Sequence, residues 1–137
     1  MVKKLVLVVD DESISLDMIA SVLEMDGYIV LKAYDAKSAM QIIDRNKTRI
    51  NVILMDLVMP EYSGFVAIST IKAYKSTRLI PIMALTGSND RWSVEKAMHV
   101  GADDYLTKPF EPTDLLNRVR TLCKISDFVK RWSAYAR

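Results

Sequence analysis

Five side chains able to do chemistry stand where a short strand-like run gives out. Asp10 and Asp11 follow Leu5 to Val9, Asp56 follows Val52 to Met55, Thr86 follows Ile80 to Leu85, and Lys108 lies just past Asp104 to Leu106. Three carboxylates gathered on one rim repel one another, and without a counter-charge they would have to take up protons. A divalent cation relieves that repulsion. An all-oxygen donor set with neither Cys nor His selects a hard ion, and a small open site that keeps waters favours Mg²⁺ over Ca²⁺. Mg²⁺ recruits phosphate oxygens, which points to phosphoryl chemistry. Lys108 can pair with one phosphoryl oxygen, the Thr86 hydroxyl can donate to another, and Asp56 can act as the nucleophile, because a carboxylate accepts a phosphoryl group as an acyl phosphate.

These five residues must be brought together by the elements between them. Leu5 to Val9, Tyr28 to Ala33, Val52 to Met55, Ile80 to Leu85 and Asp104 to Leu106 read as strands. Apolar residues at helical spacing fall between them: Ile14 to Leu23 up to a capping Gly27, a helix capped by Asp35 with Ala39 and Ile43, one with Phe65, Ile68 and Ile71, one from Trp92 to Val100 ending at Gly101, and one after Pro112 with Leu115, Leu116, Val119 and Leu122. Strand and helix alternate five times. Such a (βα)5 chain forms a doubly wound parallel sheet covered on both faces, and its ligands bind outside the carboxyl ends of the strands where strand order reverses. The second strand ends in Lys32-Ala33-Tyr34 and offers no comparable group, so an edge position and the order 2-1-3-4-5 are expected.

Composition sets bounds on the alternatives. A chain of 137 residues with net charge +2 and half its residues hydrophobic fits one ordinary soluble domain, able to hold a core without disulfide or structural metal. The lone Cys123 excludes an internal disulfide and reads as a small buried hydrophobe. The single His99, expected to be a solvated bystander, argues against a multi-histidine metal site. No apolar run approaches the roughly 18 residues of a membrane span, so a cytoplasmic protein with no membrane insertion is expected. The eight methionines read as core filler. Charge is uneven: residues 1–117 carry 13 basic and 16 acidic side chains, whereas 118–137 carry six and one, a tail of +5.

With these residues in view, the chain resembles the receiver domains of two-component response regulators, whose sheet is flavodoxin-like. Val8-Val9-Asp10-Asp11, Met55-Asp56-Leu57-Val58-Met59-Pro60 with Gly64, Ala84-Leu85-Thr86-Gly87, and Gly101 through Phe110 with Lys108-Pro109 match that family's four motifs in order and spacing, over about residues 3 to 124. The resemblance implies that Asp56 accepts a phosphoryl group from a histidine kinase or a histidine phosphotransfer protein. It further implies that the Val58 carbonyl joins Asp10, Asp11 and Asp56 as a Mg²⁺ ligand, that the Lys108-Pro109 bond is cis, and that Thr86 and Tyr105 form a switch which alters partner binding on the face of the fourth helix, fifth strand and fifth helix. A non-enzymatic signalling switch without direct nucleic-acid contacts is expected, catalysing only its own phosphorylation and dephosphorylation. The alternatives are the receiver fragment of a larger regulator with a DNA-binding or enzymatic output domain and, more remotely, a Mg²⁺-dependent phosphatase. A haloacid-dehalogenase-type phosphatase places its nucleophile after the first strand in an Asp-x-Asp pattern, which Asp10-Asp11-Glu12 does not fit.

Two features depart from the family pattern. Val58 and Ser88, each two positions past a site residue, flank the path of an attacking water, and an apolar Val58 implies a long-lived phosphoryl group. The second departure is the tail, where Leu115, Val119, Leu122, Ile125, Val129, Trp132 and Ala136 recur every three or four residues beside Phe128 and Tyr135. This predicts a receiver domain over 1–124 and a basic amphipathic helical extension over 125–137 that mediates self-association or docking to a target protein. Arg118 is expected to pair with Asp103 or Asp104, and Trp92 to border the site or cover its helix.

Overall fold

The computed structural model describes residues 3–59, 63–87 and 91–135, with side chains through Trp132. Five strands, β1 (Leu5–Val9), β2 (Ile29–Ala33), β3 (Val52–Asp56), β4 (Ile82–Thr86) and β5 (Asp104–Thr107), alternate with α1 (Ser13–Met25), α2 (Ala36–Asn46), α3 (Gly64–Ala73), α4 (Arg91–His99) and α5 (Pro112–Tyr135). All strand pairs are parallel, and the order is β2-β1-β3-β4-β5, as the sequence predicts.

Alternation along the strands builds two cores. Leu5, Leu7 and Val9 of β1, Ile53 and Met55 of β3, and Ile82 and Ala84 of β4 pack against α2, α3 and α4. Their neighbours Val6, Val8, Val52, Leu54, Met83 and Leu85 face α1 and α5. Each central strand is buried on both sides, which is why these segments read as unbroken apolar runs. Local signals end the helices where expected. Asp35 caps α2 by accepting from the Ser38 backbone N–H at 2.7 Å, and Gly27 takes φ +94° just past α1. β4 starts at Ile82 rather than Ile80, because Pro81 has no N–H for the ladder; its carbonyl still accepts from Ile53 at 2.9 Å.

One expectation fails here. Met25, Met18 and Met98 are exposed, so the methionines are not uniformly core filler; Met55 and Met83 are fully buried. The apolar row on α5 divides between core and surface. Leu115, Val119 and Leu122 are buried, Ile125 and Trp132 are exposed, and the buried line continues through Cys123 and Ser126. Val119, Leu122 and Ile125 follow one another at steps of three, which at about 100° per residue carries Ile125 about 120° around the helix from Val119 and off the core, whereas Ser126, seven past Val119, stays beneath it. Ala136 lies outside the described residues. Among the described residues, no helix is long and apolar enough to cross a membrane.

Candidate functional site

Chain order places β1 and β3 side by side, with Val9 opposite Met55. Their carboxyl ends therefore deliver Asp10, Asp11 and Asp56 to one crevice at the reversal of strand order. One carboxylate oxygen from each lies within 4.8 Å of the others. Asp10 and Asp56 are buried and Asp11 is exposed, so the cluster opens to solvent on one side. On the other side of β3, β4 carries Thr86, which is buried, and β5 ends at Thr107 opposite it. The next residue, Lys108, donates its backbone N–H to the Thr86 carbonyl at 2.7 Å, precedes a cis peptide bond to Pro109, and reaches back over the crevice.

Lys108 is the cation of the site, and its nearer partner is Asp10. Its Nζ lies 2.6 Å from Asp10 Oδ2 and 3.9 Å from Asp56 Oδ2. The two buried carboxyls therefore differ in charge preference. Burial pushes the Asp56 carboxyl up to about 7, opposed by the Val58 N–H that it accepts at 3.1 Å and by Lys108, and reinforced by neighbouring Asp10. Asp10 is also penalised by burial, yet the Lys108 ammonium, the Glu12 N–H at 3.0 Å and the Ser15 hydroxyl together hold it below the usual carboxylate range. Lys108 thus neutralises one of the two buried carboxylates and leaves the other short of a counter-charge.

Two buried carboxylates and one exposed carboxylate in an all-oxygen cluster, one of the buried pair lacking a full counter-ion, fit a hard divalent cation. Val58, two residues past Asp56, is 73% exposed and presents its side chain to solvent. Gly64 fixes the loop that follows: its N–H donates to the Leu57 carbonyl at 3.1 Å, and a Cβ there would come within 2.0 Å of the Asp56 carbonyl oxygen. Tyr105 is half-buried against the β-sheet core, with the Arg118 guanidinium 6.0 Å from its ring centroid. Ser88 and Pro60 fall outside the described residues.

The remaining expected contacts divide. Arg118 pairs with Asp104 at 2.8 Å and with Asp114 at 2.9 Å. Asp103 turns instead to Lys72, whose ammonium bonds Asp103 Oδ2 at 2.9 Å and the carbonyls of Arg78 and Ile80, while the same carboxylate oxygen accepts the Ile82 N–H. This latch tying α3 to the start of β4 went unforeseen, since nothing in the spacing of Lys72 and Asp103 brings them together. Trp92 lies edge-on to Phe65 at 6.1 Å, with the Lys96 ammonium over both rings, and is 64% exposed. His99 is exposed and Cys123 buried.

Comparison with known proteins now bears on this arrangement. The model of the response regulator receiver domain matches residues 6–120. The chain belongs to that family. It is 38% identical over 124 residues to the phosphate regulon transcriptional regulatory protein PhoB of Pseudomonas aeruginosa, covering 90% of this chain and 53% of that protein. It is 33% identical to the transcriptional regulatory protein CpxR of Escherichia coli, covering 88% and 50%. The chain thus spans about half the length of the curated relatives it matches. Among solved structures, a putative response regulator from Chloroflexus aurantiacus aligns with TM-score 0.85 at 30% identity over 90% of this receiver and 99% of that chain. The chemotaxis protein CheY4 of Vibrio cholerae aligns with TM-score 0.82 at 29% identity over 88% and 99%.

Proposed function

We propose that this receiver is a phosphorylation-dependent switch whose Asp56 takes a phosphoryl group from a histidine kinase or a histidine phosphotransfer protein. The observation that carries this is the placement of Asp56 at the end of β3, with Asp10 and Asp11 on one side and the Lys108 ammonium 3.9 Å away. An Asp56 carboxylate oxygen attacks phosphorus, the bond from phosphorus to the donor's imidazole nitrogen breaks, and that nitrogen leaves carrying the electron pair and takes up a proton. Asp56 is left as an acyl phosphate. Asp10, Asp11, Asp56 and the Val58 carbonyl would hold Mg²⁺, which supplies positive charge for the transferring phosphoryl oxygens. Lys108 and the Thr86 hydroxyl then face the phosphoryl group, and Thr86 with Tyr105 couples it to the surface of α4, β5 and α5. The chain turns over only its own phosphoryl group, in the cytoplasm, and signals through a downstream protein or a second copy.

The test is incubation with Mg²⁺ and acetyl phosphate followed by peptide mapping. Label should appear on Asp56 alone, and undiminished labelling of Asp56→Asn defeats the proposal. Asp11→Ala should weaken both Mg²⁺ binding and labelling; unchanged values for both remove Asp11 from the metal site. A second reading rests on coverage: PhoB and CpxR are about twice as long as the match. On that reading the chain is the receiver part of a regulator with a DNA-binding or enzymatic output domain, and sequencing the whole gene decides it.

A further inference from the structure

At the end of the sheet opposite Asp56, the chain leaves α2 through Lys47 and Thr48 to enter β3, and leaves α3 through Lys75 and Ser76 to enter β4. α5 continues past this edge. Its residues Ser126, Val129 and Lys130, beyond the family match at residue 120, close the third side of a groove of about 680 Å³. The floor is apolar: Ile50 and Ile80 are buried beneath it, Val129 is half-buried, and Leu79 is 56% exposed on the wall. The rim is cationic. Lys47 on the α2–β3 connection, Lys75 on the α3–β4 connection and Lys130 on α5 are exposed, and a smaller adjoining hollow shares Lys130 and adds Lys3 and Arg49.

Charge at helix ends accounts for only part of this rim. Lys47 and Lys75 follow the C-termini of α2 and α3, where a lysine offsets about half a negative charge per helix. Lys130 lies within α5, and no helix end explains it. Among the described residues, Asp44 approaches Lys47 at 3.6 Å and Asp127 pairs with Lys4, while Lys75, Lys130 and Arg49 form no ion pair. A surplus of positive charge therefore remains around an apolar floor. A phosphodiester backbone has no apolar group to fill such a floor, and an anionic bilayer meets protruding side chains rather than the base of a groove. A peptide with carboxylates and a bulky apolar residue supplies both.

We propose that this groove docks an acidic peptide segment of a partner protein, which lays an apolar side chain on Ile50, Ile80 and Val129 and sets its carboxylates against Lys47, Lys75 and Lys130. The groove is distinct from the site of Asp56, because the length of β3, about 17 Å, separates the two. A random dodecapeptide library displayed on phage is panned on the full chain, and enriched peptides are synthesised and titrated by fluorescence anisotropy. Enriched peptides should carry two or more acidic residues and a bulky apolar one. They should bind Lys75→Glu/Lys130→Glu at least tenfold more weakly and lose affinity when the apolar residue is replaced by Ser. The double variant should keep its melting temperature and its Asp56 labelling, which separates lost docking from lost folding. Enrichment of neutral or basic peptides, equal binding by the double variant, or unchanged affinity on removal of the apolar residue overturns the proposal. So does tighter capture, through the same lysines, of a 12-base-pair DNA duplex or of phosphatidylglycerol vesicles.

Discussion

Replacing Asp56 by Asn removes a negative charge from a position that burial makes hostile to it, while preserving the shape of the side chain. In the unfolded chain this carboxyl ionises near 3.8; in the folded domain burial raises that to about 7. Between these values the folded state holds the proton that the unfolded state has lost, so stability falls as pH rises through the window and levels off above it. The whole gap corresponds to roughly 4 kcal/mol at about 1.4 kcal/mol per pH unit. Side-chain adjustment and water entry absorb part of it, leaving a realised penalty of roughly 1–3 kcal/mol at pH 8. Asn bears none of this cost. In EDTA at pH 8, Asp56→Asn should therefore melt roughly 3–10 °C above the wild type, and the difference should nearly vanish at pH 4. Excess Mg²⁺ should raise the wild type more than the variant, because the cation supplies the counter-charge that the ionised carboxylate lacks. Thermal unfolding followed by circular dichroism across that pH range makes the comparison. An Asn variant no more stable than wild type at pH 8, or an advantage that does not change with pH, would refute the assignment of an uncompensated charge to Asp56.

Three further outcomes follow from named contacts. Gly64→Ala should cost about 2–4 kcal/mol in urea unfolding, because the added Cβ meets the Asp56 carbonyl oxygen at 2.0 Å and backbone cannot yield there as a side chain would; wild-type stability would show that the loop after Asp56 moves freely. Lys72→Met keeps the aliphatic stem and removes the ammonium shared by two carbonyls and Asp103, so it should destabilise by about 1–3 kcal/mol in the same assay. Val58→Asn should speed loss of the phosphoryl group about fivefold, the equivalent of one hydrogen bond of about 1 kcal/mol to an incoming water, measured as decay of phosphorylated protein by Phos-tag electrophoresis; unchanged or slower decay removes Val58 as a determinant of lifetime.

Strand ends carried most of what the sequence could say. Asp10, Asp56, Thr86 and Lys108 are legible as a group because each stands at the end of a strand-like run, and parallel topology sends the carboxyl end of every such run to the same edge. Which carboxylate Lys108 would choose was not legible. That choice depends on the side chain's reach from β5 across two strands and on the hydrogen bonds already satisfying Asp10. Lys72 and Asp103 escaped for a similar reason, since each looks like an ordinary surface charge until α3 and the turn before β5 are set side by side. On α5 the helical spacing and the exposure of the later aromatics are legible in the sequence, but the burial of Ser126 is not, because a small polar residue seven past Val119 carries no apolar signal of the face it shares.

Charge at the strand ends also explains why the site needs help to do chemistry. Asp10, Asp11 and Asp56 together bring three negative charges when ionised, and Lys108 returns one. The shortfall falls on Asp56, because Lys108 stands at 2.6 Å from Asp10 but 3.9 Å from Asp56. A protonated Asp56 is stable there and is a poor nucleophile; an ionised one is reactive and costs stability. A divalent cation brings the sum to zero and removes the conflict between the two states. On the proposed function, the arrangement would link reactivity to cation binding through a single carboxyl whose buried position is set by β3. Moving Asp56 toward solvent would relieve the same penalty without a cation, but it would also carry the carboxylate away from Lys108 and Thr86, the groups proposed to meet the incoming phosphoryl oxygens.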